Sequence, residues 1–369
     1  MTHASGYDDL APSKAKPRNT ELRAAIETAL ARHLGGAAIC CFHAPTRGID
    51  FTFLVERNAS ADRPRLTANT PFRIASVTKV YTAAAIFRLW EKNRLSLEQP
   101  ISEIASRSIL DALREGGYAP DKIKVKHLLA HTGGVYDHCH DPGFVAKVLT
   151  SPQKQWTRLE QVQLAVANGA PYGPPGSRQH YSDTGYVILG DIIERASGQK
   201  LGTALHSLLK MDELDLTATH IEDEDRAAAH GDCLYHGRWA GMDTSGLHPS
   251  FDLYGGGGLV ATAHETAVFI RTLLTGGVFD RPETLAAALA IPPEPVDPTH
   301  GRIRAYLLYR TEFLGRECWG HTGFWGNETL YCPSLDLAVT LSVFDGAEAG
   351  RAWRERLRNE IEQATRPCF

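Results

Sequence analysis

A serine and a lysine stand three residues apart in the stretch FRIASVTKVYTAAAIF, residues 72–87. Apolar residues continue at helical spacing after Ser76, so the stretch predicts a buried helix that begins near the serine. On one helix face, the Lys79 amine lies within hydrogen-bonding reach of the Ser76 hydroxyl. We expect burial to lower the pKa of Lys79, so that a neutral amine takes the serine proton while free N–H groups of the first turn stabilise negative charge. The pair therefore predicts a nucleophile and its base.

The spacing alone is not specific, because the same Ser-x-x-Lys separation occurs elsewhere in the chain. The other pairs are Ser13/Lys16, Ser151/Lys154, Ser197/Lys200 and Ser207/Lys210. Only after Ser76 do apolar residues continue at helical spacing, with no Pro or Gly before Lys92. The simpler alternative is that Ser76 or Thr78 only caps the helix.

Two later segments carry groups of related chemistry. Tyr181, Ser182 and Asp183 stand in a loop before another apolar helix, and HTG at 321–323 falls in a C-terminal strand region. In this order, the segments resemble the three motifs of the serine β-lactamase and DD-peptidase superfamily: Ser-x-x-Lys, Tyr-x-Asn, and Lys-Thr-Gly or its His-Thr-Gly variant. The tyrosine points to the class C branch, which includes DD-carboxypeptidases, D-aminopeptidases, family VIII esterases and some acyltransferases. The segments HLLAHTGGVYD and GGGGLVATAHETAVFI extend the resemblance over residues 20 to 345.

The resemblance implies a role for each motif residue. Ser76 would be the nucleophile, and Lys79 and Tyr181 would share the work of the base through coupled pKa values. Tyr181 would then protonate the leaving group, although a buried tyrosine can also be a packing residue. The backbone amides of Ser76 and Phe324 would form the oxyanion hole. The substrate-binding residues would be Asp183, His321, Thr322, Gly323 and Phe324.

Two positions depart from the family pattern. Asp183 replaces the usual Asn, so a carboxylate that only accepts hydrogen bonds replaces an amide that can also donate them. His321 replaces the usual Lys, which removes a fixed positive charge near neutral pH. We therefore expect the site to prefer substrates that are neutral or carry an amine near the scissile bond, and to disfavour those with a carboxylate there.

Histidines invite two further interpretations. A second His-Thr-Gly begins at His131, but the family's third motif follows the tyrosine, so chain order favours His321. His127, His131, His138 and His140 crowd near Asp137 and Cys139, which suggests a metal site. The zinc pattern His-Glu-x-x-His, however, needs a Glu where Leu128 stands. We predict no functional metal and no cofactor.

Strand patterns lie at both ends of the chain and helical patterns lie between them. This arrangement predicts an α/β (α+β) fold of the β-lactamase/transpeptidase type, with an antiparallel sheet built from both termini and flanked by helices. We expect a polar tail over 1–19, a sheet sub-domain from 20–75 and 300–369, and a mainly helical sub-domain over 76–299. The active site would lie between the two sub-domains.

Composition narrows the class of partner. The 369 residues are 43% hydrophobic with a net charge of −4 and no basic stripe, which disfavours nucleic acid and favours a small-molecule or short-peptide substrate. Residues 1–20 contain no apolar signal-type segment and no stretch is long enough to cross a bilayer, so we expect a cytoplasmic protein without membrane contact. Seven scattered cysteines favour reduced thiols. The oligomeric state stays open.

These patterns favour a serine hydrolase that forms an acyl-enzyme on Ser76 and cleaves an amide or ester of a small molecule or a D-amino-acid-containing peptide. An acyltransferase would use the same acyl-enzyme, and the sequence does not separate water from another acyl acceptor. A non-catalytic ligand-binding protein of the same fold is the alternative from a different class.

Overall fold

A computed structural model describes residues 15–32, 35–57, 64–222, 234–295, 303–344 and 347–369. Its largest sheet has six strands, all paired antiparallel, in the order β2-β1-β11-β10-β9-β8. These strands are β1 (Ala37–Ala44), β2 (Ile49–Glu56), β8 (Tyr309–Phe313), β9 (Arg316–Thr322), β10 (Asn327–Cys332) and β11 (Leu337–Val343). The predicted sheet from both ends of the chain is confirmed.

Helices cover both faces of this sheet. Helix α1 (Ala15–Arg32) packs beside α11 (Ala347–Thr365) on one face, and α9 (Ala263–Leu274) lies against β1, β10 and β11 on the other. Residues of β1 are therefore buried on both sides. This burial explains why AAICCFHA reads as a continuous apolar run instead of an alternating strand.

The middle of the chain is mainly helical around α2 (Thr78–Glu91). In α2, 13 of the 14 residues are buried, which identifies it as the central helix of the core. The other helices are α3 (Arg107–Glu115), α4 (Val125–Leu129), α5 (Pro142–Thr150), α6 (Arg158–Asn168), α7 (Asp183–Ser197), α8 (Leu201–Leu208) and α10 (Pro282–Ala288). Short strands form two small sheets: β3 (Phe72–Arg73), β7 (Leu259–Ala261) and β4 (His220–Ile221) in one, β5 (Arg238–Trp239) and β6 (Met242–Asp243) in the other.

A disulfide joins Cys318 of β9 to Cys332 of β10. The strand register sets Trp319 opposite Tyr331, so the two cysteines face each other one position further along. The prediction of reduced thiols is therefore wrong for this pair. Four other cysteines are unbridged: Cys40, Cys41, Cys139 and Cys368. Spacing could not show the bridge, because only the strand register brings the two thiols together.

The structure leaves two expectations as they were. Within the described ranges, no helix combines the length and the apolar character needed to cross a bilayer, and the cytoplasmic location stays a prediction. The boundaries at 19, 75 and 299 also stay predictions, and part of the predicted polar tail, residues 1–14, lies outside the described residues.

Candidate active site

Ser76 lies on a tight turn that leads into the central helix. The turn is the 3₁₀ segment Ala75–Val77, and Ala75 adopts a left-handed φ of +47°. A residue with a Cβ pays about 1–2 kcal/mol for this conformation, and such strain is typical of sites where function dictates the backbone. No side-chain cap bond is present at the start of α2 in the described structure. Thr78 instead accepts a hydrogen bond from the Leu259 amide at 3.2 Å, so the capping alternative is wrong.

Lys79 lies beneath Ser76 and is only 1% exposed. Its Nζ donates to Ser76 Oγ at 3.0 Å, to the Gly256 carbonyl at 2.6 Å, and to the Asp183 carboxylate. Tyr181 is a further side-chain hydrogen-bond partner of the same amine.

The electrostatics of Lys79 correct our expectation of a neutral amine. Burial by itself lowers the pKa of Lys79, but the charge of Asp183, together with the neighbouring Tyr181, outweighs it and raises the pKa above its ordinary value. The resting lysine is therefore charged. It can stabilise negative charge on Ser76 Oγ, but it must lose a proton before it can act as a base.

Tyr181 lies over the same ammonium group, with its ring centroid 5.1 Å from Lys79 Nζ. The pKa of its phenol is raised to about 12, because burial and the charge of Asp183 outweigh the opposite effect of the cations Lys79 and Arg304. The ring stacks on His131 at a centroid distance of 4.4 Å. His131 accepts a hydrogen bond from the Ser182 amide at 3.1 Å. His131, which chain order excluded as the third motif, therefore packs against the tyrosine and supports its position.

Asp183 opens helix α7, where the Ser182 side chain caps the helix by accepting from the Gly185 amide at 3.1 Å. The Asp183 side chain is 14% exposed and forms an ion pair with Lys79. The ammonium of Lys79 offsets part of the charge that Asp183 presents to a substrate. The expected role of Asp183 in reading substrate charge stays a prediction.

The third motif ends strand β9 beside the serine turn. A Cβ on Gly323 would lie 2.6 Å from the Ile74 carbonyl oxygen, so only glycine lets the two segments approach this closely. His321 is 4% exposed, and its Nδ1 is hydrogen-bonded to the Thr322 carbonyl at 2.8 Å. The oxyanion role of the Ser76 and Phe324 amides stays a prediction.

A cavity of about 500 Å³ gathers the predicted residues. Seven of them line it: Ser76, Tyr181, Asp183, His321, Thr322, Gly323 and Phe324. Lys79 lies just below the lining and reaches the cavity through its hydrogen bond to Ser76. Residues from three separate parts of the chain thus converge around one hydroxyl.

The cavity also contains groups that the motifs did not reveal. Arg304 lies with its guanidinium carbon 5.0 Å from the Tyr181 ring centroid, so the cavity contains a fixed cation although His321 replaces the usual Lys. Asp252 contributes a second carboxylate. Phe144, Trp239, Phe251 and Phe324 supply an aromatic wall. The only sequence signal for these residues is the position of Asp252 just before the run of four glycines.

The histidine-rich segment separates into two groups. His127 accepts from the Lys124 amide at 3.2 Å, and His131 supports Tyr181, so the predicted i, i+4 pair is committed to other contacts. Asp137, His138 and Cys139 hold their potential ligand atoms within 4.8 Å of one another. His138 is hydrogen-bonded to Thr184 at 2.9 Å. The absence of a functional metal stays a prediction.

Comparison with known proteins identifies relatives over most of the chain. The Beta-lactamase family model matches residues 22–361. A protein of Escherichia coli O157:H7 named "Putative D-alanyl-D-alanine carboxypeptidase" is 23% identical over 75% of this chain and 69% of its own length. A D-stereospecific amidohydrolase from a Streptomyces species superposes with a TM-score of 0.75 at 23% identity, covering 93% of this chain and 98% of that one.

Two further structures share the fold. The D-amino acid amidase of Ochrobactrum anthropi SV3, in complex with L-phenylalanine, has a TM-score of 0.75 at 20% identity, with coverage of 94% and 98% of the two chains. EstCE1, described as a hydrolase with promiscuous acyltransferase activity, has a TM-score of 0.70 at 18% identity, with coverage of 94% and 99%.

Proposed function

The chain belongs to the Beta-lactamase family, and from that premise we propose that it is a serine hydrolase that forms an acyl-enzyme on Ser76. The observation that carries the proposal is the hydrogen bond from Lys79 to Ser76 Oγ at the base of a cavity that also contains Tyr181. A buried lysine that donates a hydrogen bond to a serine hydroxyl, at the base of a cavity large enough for a substrate, is an arrangement that activates the serine as a nucleophile. The substrate would be an amide or ester of a small molecule or a D-amino-acid-containing peptide.

The proton that leaves first in this mechanism is that of Tyr181. Asp183 holds Lys79 as an ammonium ion, whereas Lys79 and Arg304 both oppose the rise in the pKa of the phenol. The phenolate takes the Ser76 proton as Oγ bonds to the substrate carbonyl carbon. The protonated Lys79, which contacts the same oxygen, stabilises its developing charge.

Collapse of the tetrahedral intermediate breaks the bond to the leaving amine or alkoxide, which takes the proton back from Tyr181. A water molecule then gives its proton to the same phenolate and attacks the ester carbonyl of the acyl-enzyme. Ser76 Oγ leaves and takes that proton from Tyr181, so deacylation restores the serine hydroxyl and the Tyr181 phenolate. Solvent accepts the tyrosine proton before the cycle and returns it afterwards. The proposed amides of Ser76 and Phe324 would hold the oxyanion in both halves.

Acyl transfer to an alcohol or amine is the second candidate. The aromatic wall could hold an acceptor in place of water, and the structural relative EstCE1 is described as having promiscuous acyltransferase activity. The ratio of transfer to hydrolysis, measured with an ester and increasing alcohol, separates the two functions. A non-catalytic protein would show neither reaction.

A fluorophosphonate probe tests the proposal directly. We expect one adduct per chain in the intact mass spectrum, mapped by peptide sequencing to Ser76, and none in Ser76→Ala. Ser207→Ala is the matched control, because Ser207 belongs to another Ser-x-x-Lys pair but donates to Gln199 and Ala204 outside the cavity. An adduct that survives in Ser76→Ala, on Ser207 or on any other serine, would refute the assignment.

A further inference from the structure

Asp252 is a carboxylate of the cavity that the proposed chemistry does not use. It follows the 3₁₀ turn Pro249–Phe251, and its amide donates to the Pro249 carbonyl at 3.0 Å. Its side chain lies against Gly257, where a Cβ would come within 2.3 Å of Oδ1. The backbone and this close packing therefore hold the carboxylate in a defined position in the lining of the cavity that also contains Ser76.

The positive charges nearest to Asp252 are already committed to other anions. Arg73 binds Glu222 through two hydrogen bonds of 2.6 and 2.7 Å. Lys79 is paired with Asp183. Among the residues that the structure describes, none donates a hydrogen bond or forms an ion pair with the Asp252 carboxylate. Burial and the charge of Asp183 raise the pKa of Asp252 to about 7, whereas Lys79 and Arg73 act in the opposite direction without pairing with it.

A buried carboxylate without a hydrogen-bond or ion-pair partner is costly to ionise, and the cation of a ligand would stabilise its charged form. The adjoining wall is aromatic: Trp239 lies 6.4 Å from Phe251 and 5.2 Å from Phe324 between ring centroids. Aromatic faces accept both apolar side chains and cationic groups. Asp252 thus places a carboxylate without an ion-pair partner among the described residues in the same cavity as the aromatic wall and the nucleophile.

We propose that Asp252 binds the ammonium group of the acyl part of the substrate, which makes amino-acid amides and esters with an apolar side chain the preferred class. This inference rests on the proposed function of Ser76, and it assigns the reading of substrate charge to Asp252 in place of Asp183. The ammonium donates to the Asp252 carboxylate, the side chain packs on the aromatic wall, and the carbonyl carbon lies at Ser76 Oγ.

The test compares two anilides that differ in a single group. D-Phenylalanine 4-nitroanilide carries the α-ammonium, and 3-phenylpropanoyl 4-nitroanilide has hydrogen there. We expect wild type to favour the first in kcat/KM, and Asp252→Asn to reduce this preference about ten- to a hundredfold, mainly through KM, as for loss of a hydrogen bond to a charged group. Asp252→Glu should retain part of the preference because it keeps the charge.

Glu355→Gln is the matched control, because Glu355 also lines the cavity but is 59% exposed and paired with Arg354. The ratio of kcat/KM for the two anilides in Glu355→Gln should stay within about threefold of the wild-type ratio, because an exposed ion pair contributes little. An equal preference for the two anilides in wild type, or an unchanged preference in Asp252→Asn, would overturn the assignment.

Failure of the catalytic proposal can be recognised separately. If the fluorophosphonate does not label Ser76 and neither anilide is cleaved, the hydrolase mechanism fails. Calorimetric binding of D-phenylalaninamide and 3-phenylpropanamide to Ser76→Ala still decides the role of Asp252. Tighter binding of the amine that is lost in Ser76→Ala/Asp252→Asn supports it, and equal binding of the two amides refutes it.

Discussion

The ion pair between Lys79 and Asp183 leads to a prediction about pH. Asp183→Asn restores the amide that is usual in the family and removes the charge that keeps Lys79 protonated. At a contact distance of about 3 Å and an effective dielectric of about 20, the lost attraction is about 5 kcal/mol, equal to about 4 pKa units. Allowing half of this for reorganisation, the pKa of Lys79 should fall by about 2 units.

Removal of the Asp183 charge should lower the pKa of both candidate bases, Lys79 and Tyr181. Burial lowers the pKa of Lys79, and it acts unopposed once the carboxylate is gone. Asp183 also raises the pKa of Tyr181, so its removal lowers that value as well. The active form of the Lys79 and Tyr181 pair carries one proton fewer than the resting form. Wild-type kcat/KM should therefore rise with pH well above neutrality, and in Asp183→Asn the rise should occur about 2 units lower.

The assay is kcat/KM for a neutral 4-nitrophenyl ester between about pH 6 and 10, corrected for spontaneous hydrolysis. The position of the rising limb is the readout, because an overall loss of activity could have other causes. Glu355→Gln removes an exposed carboxylate of the same cavity and should leave the limb in place. Coincident limbs in wild type and Asp183→Asn would show that Asp183 does not set the protonation of the base.

Two further predictions concern the tyrosine and the disulfide. Tyr181→Phe and Lys79→Ala should each reduce kcat by about two to four orders of magnitude with a modest change in KM; nearly full activity of folded Tyr181→Phe on every substrate would make Tyr181 a packing residue. Replacing Cys318 and Cys332 by serine opens a bridge across a sequence separation of 14, which should lower the free energy of unfolding by about 3 kcal/mol in urea titrations. A Cys368→Ser control should have a smaller effect, and an equal loss in both variants would count against the bridge.

The charge balance of the cavity is the point at which the sequence-level interpretation changes most. The two departures from the family pattern, Asp183 and His321, predicted a pocket less positive than the usual Asn and Lys would make it. In the folded chain, Arg304 adds a cation to the cavity and Asp183 is paired with Lys79. The cavity also contains Asp252, a carboxylate that no motif identified and to which we assign the preference for an amine-bearing substrate.

The sequence by itself determined the type of fold and the nucleophile motif. Apolar periodicity placed the central helix after Ser76, and strand patterns at both ends predicted the mixed sheet. The order of the three motifs also selected His321 over His131, and both His321 and Ser76 line the cavity. These features can be predicted from the sequence because helical and strand periodicity depends only on neighbouring residues. Each motif carries little information alone, but the order of the three motifs along the chain is specific.

Only the tertiary structure decided how the charges pair. Asp183 lies 104 positions from Lys79 along the chain and Arg73 lies 149 from Glu222, so no local pattern could indicate either ion pair. A pKa depends on burial and on charges within a few ångströms, and packing sets both of these. For this reason Lys79 is an ammonium ion and not the neutral amine that we expected. Burial likewise raises the pKa of Asp252, which lies in the same cavity as Ser76.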